Sequence, residues 1–450
     1  MEICGDVNKF FLENNNDEDL ILHIVPLDDK LHPIQTTPSV VFIKNISTDK
    51  VYCFVFDHPD STLKIKKEQF VEAVNKLKNK IWVLDKKSTE QLLPLSNLLD
   101  VNLCEYLKNN KIVDGYEFNT SAYNIIHRNY PTISNINKIV PLFKHLETFE
   151  DLCKVIQKII KGFKIDSGYT GMNSVILPTL SELERTGIFV DREMFSKRFS
   201  IDVDETSMVY SCYNIYTSTG RPSNRFGGVN YAALNIKDGS RECFISRYGK
   251  DGKILIIDYT AFHPRIICKL TQYPIPSDVN IYKYLAKLYF QKSSLDEIDI
   301  TEAKNITFRQ LYGGVDDKYS HIKYLSNLKD YVNGQWKFFN NNGYVLTPIF
   351  KRKITDKHIL DPNPTKNFNY ILQATEGEIA IPKIQEIQNY LKNKKTKAFL
   401  YTYDAVLFDF HREDGLEILN ELRRIMSWGG IFSMKTYIGS SYHSVKQISI

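Results

Sequence analysis

The chain has 450 residues, a formal net charge of +5, and 43% hydrophobic and 25% charged residues. That is long enough for two or three domains with cores of their own and ordinary for a soluble protein. No apolar run could cross a membrane, no signal peptide stands at Met1, and seven cysteines without a Cys-x2-Cys pair point to reduced thiols in a cytoplasm and away from a zinc site.

A charge of +5 permits nucleic acid as a partner without demanding it. Residues 1 to about 165 alternate in type. Runs 20–27, 39–45 and 51–57 read as strands, the last two as a hairpin. Run 67–80 has helical periodicity, 81–85 reads as a strand, and 89–99 and 103–109 read as helices. The alternation predicts a small α/β domain. An amphipathic helix follows over 148–163, with Leu152, Val155, Ile156, Ile159 and Ile160 on one face. Residues 167–173 read as a Gly-containing linker. The next helix stops at Gly187, and Val190-Asp191 turns into another.

Three later stretches carry chemistry. In the first, Ile254 to Ile257 form an unbroken apolar run after Gly252, which predicts a strand buried on both faces. It ends on Asp258, which could equally cap a turn. In the second, Lys304, Phe308 and Tyr312 recur every four residues and make one stripe of a helix. A cation, a ring and a phenol on one face suit a nucleotide, although an amphipathic helix with a snorkelling Lys would look the same. Gly313 and Gly314 end that helix. In the third, residues 398–410 read as two strands with Asp404 at the reversal. A strand-end acid facing a hairpin-tip acid is one way to hold two magnesium ions; turn acids are also common.

Together the three stretches resemble motifs A, B and C of family A, the polymerase-I-like DNA polymerases, in residues, order and spacing. The resemblance runs from about residue 178 to the C-terminus. In motif A, Asp258, Tyr259, Thr260 and Arg265 fit, and His263 replaces a Glu. In motif B, Lys304, Phe308, Tyr312 and Gly313 fit, with Ile300 in place of an Arg and Arg309 in place of a Gly. In motif C the sequence reads Tyr403, Asp404, Ala405, where the family has His-Asp-Glu. The segment 217–235, with Thr219-Gly220-Arg221 and Asn235, resembles the family's primer–template contact region. The helix carrying Asn369 and Gln373 is similar to one that touches the minor groove.

The resemblance implies a multidomain α+β and α/β protein. A ribonuclease-H-like, exonuclease-like domain (1–165) precedes a right-hand polymerase: linker and thumb 166–215, palm 216–275, fingers 276–365 and palm again 366–450. Only 33 positions separate Gly187 from Gly220, so the thumb is expected to be reduced. The exonuclease acids are expected to be missing: no Asp-x-Glu stands near Asp28 and Asp29, Lys30 follows them, and His127 ends the Tyr-x3-Asp position that begins at Tyr123. Asp100 sits where the family has an Asp before a helix.

By the same resemblance Asp258, Asp404 and Lys304 are catalytic, and Asp258, Asp404 and the Tyr259 carbonyl hold two Mg2+ ions, with Mn2+ as a substitute. His263, Lys304, Phe308, Arg309 and Tyr312 bind the deoxynucleoside triphosphate, with Arg309 standing in for the missing Arg. Arg221, Arg225, Asn235, Arg265, Asn369, Gln373 and Tyr403 meet primer–template DNA. Pro264 is expected to hold His263 extended, either at the sugar or packed against Phe262. The basic run Lys351, Arg352 and Lys353 faces template or water. Small size and abundant Asn, Lys and Ile suggest a phage or virus, with a processivity factor or other replisome proteins as partners. A single-subunit RNA polymerase and a non-catalytic nucleic-acid-binding relative are the alternatives.

Overall fold

A computed structural model describes residues 2–28, 31–113 and 140–449. The chain forms two compact units, Met1–Arg185 with Cys212–Tyr216, and Thr186–Ser211 with Thr217–Ile450. The protein is thus a mixed α/β multidomain chain.

The first unit is built on a six-stranded sheet in the order β1-β4-β3-β2-β5-β6. Its strands are β1 (Glu2–Ile3), β2 (Leu20–Pro26), β3 (Pro38–Asn45), β4 (Val51–Val55), β5 (Ile81–Val83) and β6 (Leu98–Asp100). β2, β3 and β4 run antiparallel in turn, while β5 and β6 run parallel to β2. The run of β2, apolar but for His23, and that of β4 are buried along their whole length. Helices α1 (Val7–Asn14) and α2 (Lys67–Asn75) cover them, and Phe10, Phe54 and Phe70 meet in the core. Helix α3 (Lys86–Leu92) and helix α4 (Val101–Asn109) start on Asp85 and Asp100, whose carboxylates cap them.

Two expectations fail here. The predicted helix 89–99 ends at Leu92, because Pro94 pushes Leu93 out of helical geometry. Residues 98–100 then pair beside β5 as a strand. The predicted linker 167–173 is helical, continuing after α5 (Leu142–Ile160) as Ser167–Gly171 and a π-turn at Met172–Ile176. Asp166 caps it, and the buried Asn173 amide ties it to the backbone of Leu98 and Asp100, so the glycines do not break it. Helix α6 (Leu177–Thr186) follows, its Glu184 wholly buried against Lys87 at 2.5 Å.

The second unit opens at Gly187, where φ is +64° and an added Cβ would come 2.5 Å from the Met208 side chain. Only glycine fits such a turn. Between there and Gly220, the described helix of this unit is α7 (Arg192–Phe199), eight residues or about 12 Å long. The centre of the unit is a five-stranded antiparallel sheet in the order β10-β11-β7-β12-β13. Its strands are β7 (Gly252–Tyr259), β10 (Lys397–Tyr401), β11 (Ala405–His411), β12 (Met434–Gly439) and β13 (Lys446–Ile448). β7 takes the middle place because Ile254–Ile257 can be buried on both faces.

Helices α8 (Phe262–Leu270), α9 (Ile281–Phe290), α10 (Glu297–Gly313) and α11 (Lys323–Asn342) follow β7 in sequence. A capping box between Asp296 and Asp299 starts α10. The hairpin β8 (Tyr344–Leu346) and β9 (Lys353–Thr355) packs Val345 and Ile354 against Ile371 of α12 (Pro364–Leu391). Helix α13 (Glu417–Met426) packs against α12.

Candidate active site

Asp258 lies at the end of β7, directly opposite Ala405 of β11 on one side and Lys435 of β12 on the other. Asp404 stands in the reversal between β10 and β11, after Tyr403, which takes a left-handed φ of +69°. The reversal is held by Thr402 N–H donating to Ala405 O and Asp404 N–H to Thr402 O, each at 2.9 Å. The Tyr259 N–H donates to the Asp404 carbonyl at 2.8 Å. The sheet therefore sets the two acids beside each other.

Both carboxyls are hard to ionise. Burial, and then the nearby Asp404, push Asp258 up to about 7, against the pull of Lys435 and Lys304. Asp404 is open to the cleft, but the surrounding protein holds bulk water off, and this together with Glu376 raises it as well.

The stripe on α10 faces these acids. Lys304 Nζ lies 5.9 Å from the centre of the Phe308 ring and 6.0 Å from that of Tyr282. The rings of Phe308 and Tyr312 are stacked 5.8 Å apart, 7° from parallel. Asp258, Tyr259, Asp404, Lys304, Phe308, Tyr312, His263 and Arg221 all line one cleft of about 400 Å³, together with Glu376, Lys435, Tyr282 and Tyr437. Its volume falls toward the lower end of the roughly 300–1,000 Å³ typical of ligand sites.

His263 departs from expectation in its backbone. It is the second residue of α8, and Pro264 the third, where a missing N–H leaves no helical bond unmade. The extended backbone predicted from Pro264 is therefore wrong. Nor is the ring simply packed on Phe262: one nitrogen bonds to the Tyr312 hydroxyl and Nε2 lies 2.7 Å from Glu376 Oε2.

Neither the family models nor the curated proteins give a match to this sequence. Among solved structures the chain is similar to the POL domain of Pol1 from M. smegmatis, in complex with DNA primer-template and dNTP. The TM-score is 0.72 at 11% identity, over 99% of each chain. At that identity the likeness is one of fold.

The remaining expected residues scatter. Arg221 is half-buried, with its guanidinium 3.8 Å from the centre of the Tyr403 ring and Nη2 donating to Glu376 at 3.0 Å. Arg309 is exposed and does not line the cleft. Arg225 and Asn235 are exposed outside it, and Asn235 accepts from Lys237 N–H at 2.9 Å. Asn369 donates to the Tyr312 carbonyl at 3.3 Å, and Gln373 is half-buried further along α12. Arg265 is a correction. It is 2% exposed and its guanidinium donates to the carbonyls of Ile275, Pro276, Ser277 and Val279, so it braces a loop and has no face for DNA. Arg352 likewise turns inward, bonding the Thr219 carbonyl at 2.5 Å, while Lys351 and Lys353 stay exposed.

Sequence reasoning missed Glu376, Lys435, Tyr282 and Tyr437. Glu376 and Glu378 flank Gly377 in α12, and both are buried. Lys435 could have been found only from the register that sets it against Asp258.

Among the described residues, no cluster of three or more His, Cys, Asp or Glu side chains is placed to hold a metal ion. The Asp258–Asp404 pair nevertheless fits a hard divalent cation. It offers oxygen donors in an open cleft, and the raised affinity of both for protons reflects charge that their surroundings leave uncompensated.

In the first unit, Asp100 is fully enclosed. It accepts from Leu103 N–H at 2.6 Å, Lys86 N–H at 2.7 Å and Tyr216 O–H at 3.0 Å. It is a helix cap with its lone pairs in use. Asp29, Lys30, Tyr123 and His127 lie outside the described residues.

Proposed function

We propose that this chain is a template-directed DNA polymerase that adds deoxynucleotides to a primer 3′ end. The observation that carries the reading is the meeting of Asp258 and Asp404 with the Lys304–Phe308–Tyr312 stripe across one cleft. The fold likeness to a polymerase domain and the resemblance to motifs A, B and C support it.

The reaction forms a bond from the primer 3′ oxygen to the α-phosphorus and breaks the bond to pyrophosphate. Mg2+ or Mn2+, held by Asp258, Asp404 and the Tyr259 carbonyl, would supply the charge that makes the hydroxyl acidic and the leaving group stable. Lys304 neutralises the triphosphate and offers a proton to the departing pyrophosphate. Phe308 and Tyr312 give the base a stacked wall. His263 occupies the sugar end and disfavours a 2′-hydroxyl. Arg221 and Tyr403 lie at the primer side, and Asn369 and Gln373 follow on α12. Arg225 and Asn235 meet the duplex, and Arg309 lies toward the triphosphate.

The first unit is read as a ribonuclease-H-like domain without proofreading, supported by its mixed sheet and by Asp100 being committed to capping. The short stretch from Gly187 to Gly220 is read as a reduced thumb. Coding bias and size suggest phage or viral replication in a host cytoplasm, with a processivity factor as partner.

Primer extension tests the reading, with deoxynucleotides, with ribonucleotides, and with a chelator. Extension with deoxynucleotides that stops in chelator and in Asp258→Ala and Asp404→Ala is expected, while both variants still shift primer–template in a gel. Near wild-type extension by either variant refutes the acid assignment. A wild type that prefers ribonucleotides makes the chain an RNA polymerase, and one that binds DNA without extending it makes it a non-catalytic relative.

A further inference from the structure

Glu376 is 1% exposed, near the middle of α12, and both its oxygens are engaged. Oε1 accepts from Arg221 Nη2 at 3.0 Å, and Oε2 faces His263 Nε2 at 2.7 Å. Arg221 lies over the Tyr403 ring, next to Asp404, and His263 reaches Tyr312 through its other nitrogen. The five side chains come from five different segments and form one unbroken line from the hairpin tip to α10. Glu376 is its central link.

A buried carboxylate is costly unless it is ionically paired and hydrogen-bonded. Here that cost is offset by two partners that both line the cleft. Their geometry also favours one tautomer of the neutral imidazole. Nε2, which faces a carboxylate, is the nitrogen to carry the proton, and Nδ1 is then free to accept from the Tyr312 hydroxyl. The ring plane and tautomer of His263 are thus dictated from α12 and not from its own helix.

We propose that Glu376 is the positioning residue for sugar selection: it fixes the His263 imidazole against Tyr312 on the nucleotide side and Arg221 on the primer side. The assignment rests on the polymerase reading and on His263 lying at the sugar. It extends that reading to a residue outside all three motifs.

The test is single-nucleotide incorporation, comparing kcat/KM for a deoxynucleoside triphosphate and its ribonucleotide. Loss of one charged hydrogen bond predicts that Glu376→Gln lowers the discrimination roughly tenfold to a hundredfold. His263→Ala should lower it in the same sense, and the double variant should be no worse than either single one. The reciprocal variant, His263→Glu with Glu376→His, should recover discrimination relative to Glu376→Gln. Histidine nitrogen NMR supplies a readout without catalysis: His263 should be the Nε2–H tautomer in the wild type and lose that preference in Glu376→Ala. Wild-type discrimination in Glu376→Gln, or an unchanged tautomer in Glu376→Ala, overturns the proposal and leaves the polymerase reading standing. A wild type that extends no primer with either nucleotide sinks both.

Discussion

Asp258 keeps its proton to about pH 7 in the native chain, against an ordinary value of 3.8. The native state therefore binds that proton more tightly than the unfolded chain does. The stability this brings is fully present below about pH 4 and is lost as pH rises through about 7. Asn at this position cannot ionise, so Asp258→Asn should match the wild type at pH 4. At pH 8 it should be more stable by on the order of 2 kcal/mol, allowing for solvent screening in the open cleft. Thermal melts in chelator at the two pH values measure this, and equal melting at pH 8 would contradict the assignment. The same variant should extend no primer. Arg265 makes the opposite prediction. A Lys ammonium cannot span four carbonyls, so Arg265→Lys should cost about 2–4 kcal/mol in denaturant unfolding. Its affinity for primer–template, corrected for the folded fraction, should change little. A stable Arg265→Lys protein with weakened DNA binding would restore the original expectation for this residue.

Elements were legible where a single local pattern decides them. The apolar run of β7 admits only a doubly buried strand, and the four-residue spacing of Lys304, Phe308 and Tyr312 admits one helix face. The acids at 258 and 404 were legible because each stands at the end of such a run. What failed was decided by distant partners. Residues 98–100 have helix-compatible chemistry and became a strand because β5 offered an edge. Residues 167–173 read locally as a linker, but the buried Asn173 amide ties them to the backbone of Leu98 and Asp100. Glu376 was illegible because nothing local distinguishes an acid turned to solvent from one clamped by Arg221 and His263. The stripe on α10 gives its own prediction. Lys304→Met keeps the stem and removes the charge, so helix content should persist while kcat/KM for the nucleotide falls about a hundredfold or more. Single-turnover incorporation measures it, and an effect below about threefold would mean that Lys304 does not meet the triphosphate.

At the scale of the whole molecule, the polymerase reading leaves retention on DNA with little geometric help. The net charge is only +5, and the helix described in the second unit between Gly187 and Gly220 is eight residues long. Holding a duplex then falls to phosphate contacts, whose strength drops steeply with salt. Single-encounter extension on a long template should therefore stop early at about 0.15 M salt and lengthen as salt is lowered. Long products at physiological salt from the lone chain would contradict this. A mismatched primer end should also survive incubation with magnesium, and its efficient removal would show a working exonuclease. The Asp258–Asp404 pair has one more consequence for the molecule as a whole. A divalent ion held by these residues would bind only the folded chain, so it would stabilise the protein to heat as well as supply charge to the reaction. The two acids repel each other most once both have ionised, so a bound ion would relieve most there. The rise in melting temperature per decade of magnesium should be steeper at pH 8 than at pH 6, making the heat resistance of the protein a gauge of its own metal loading.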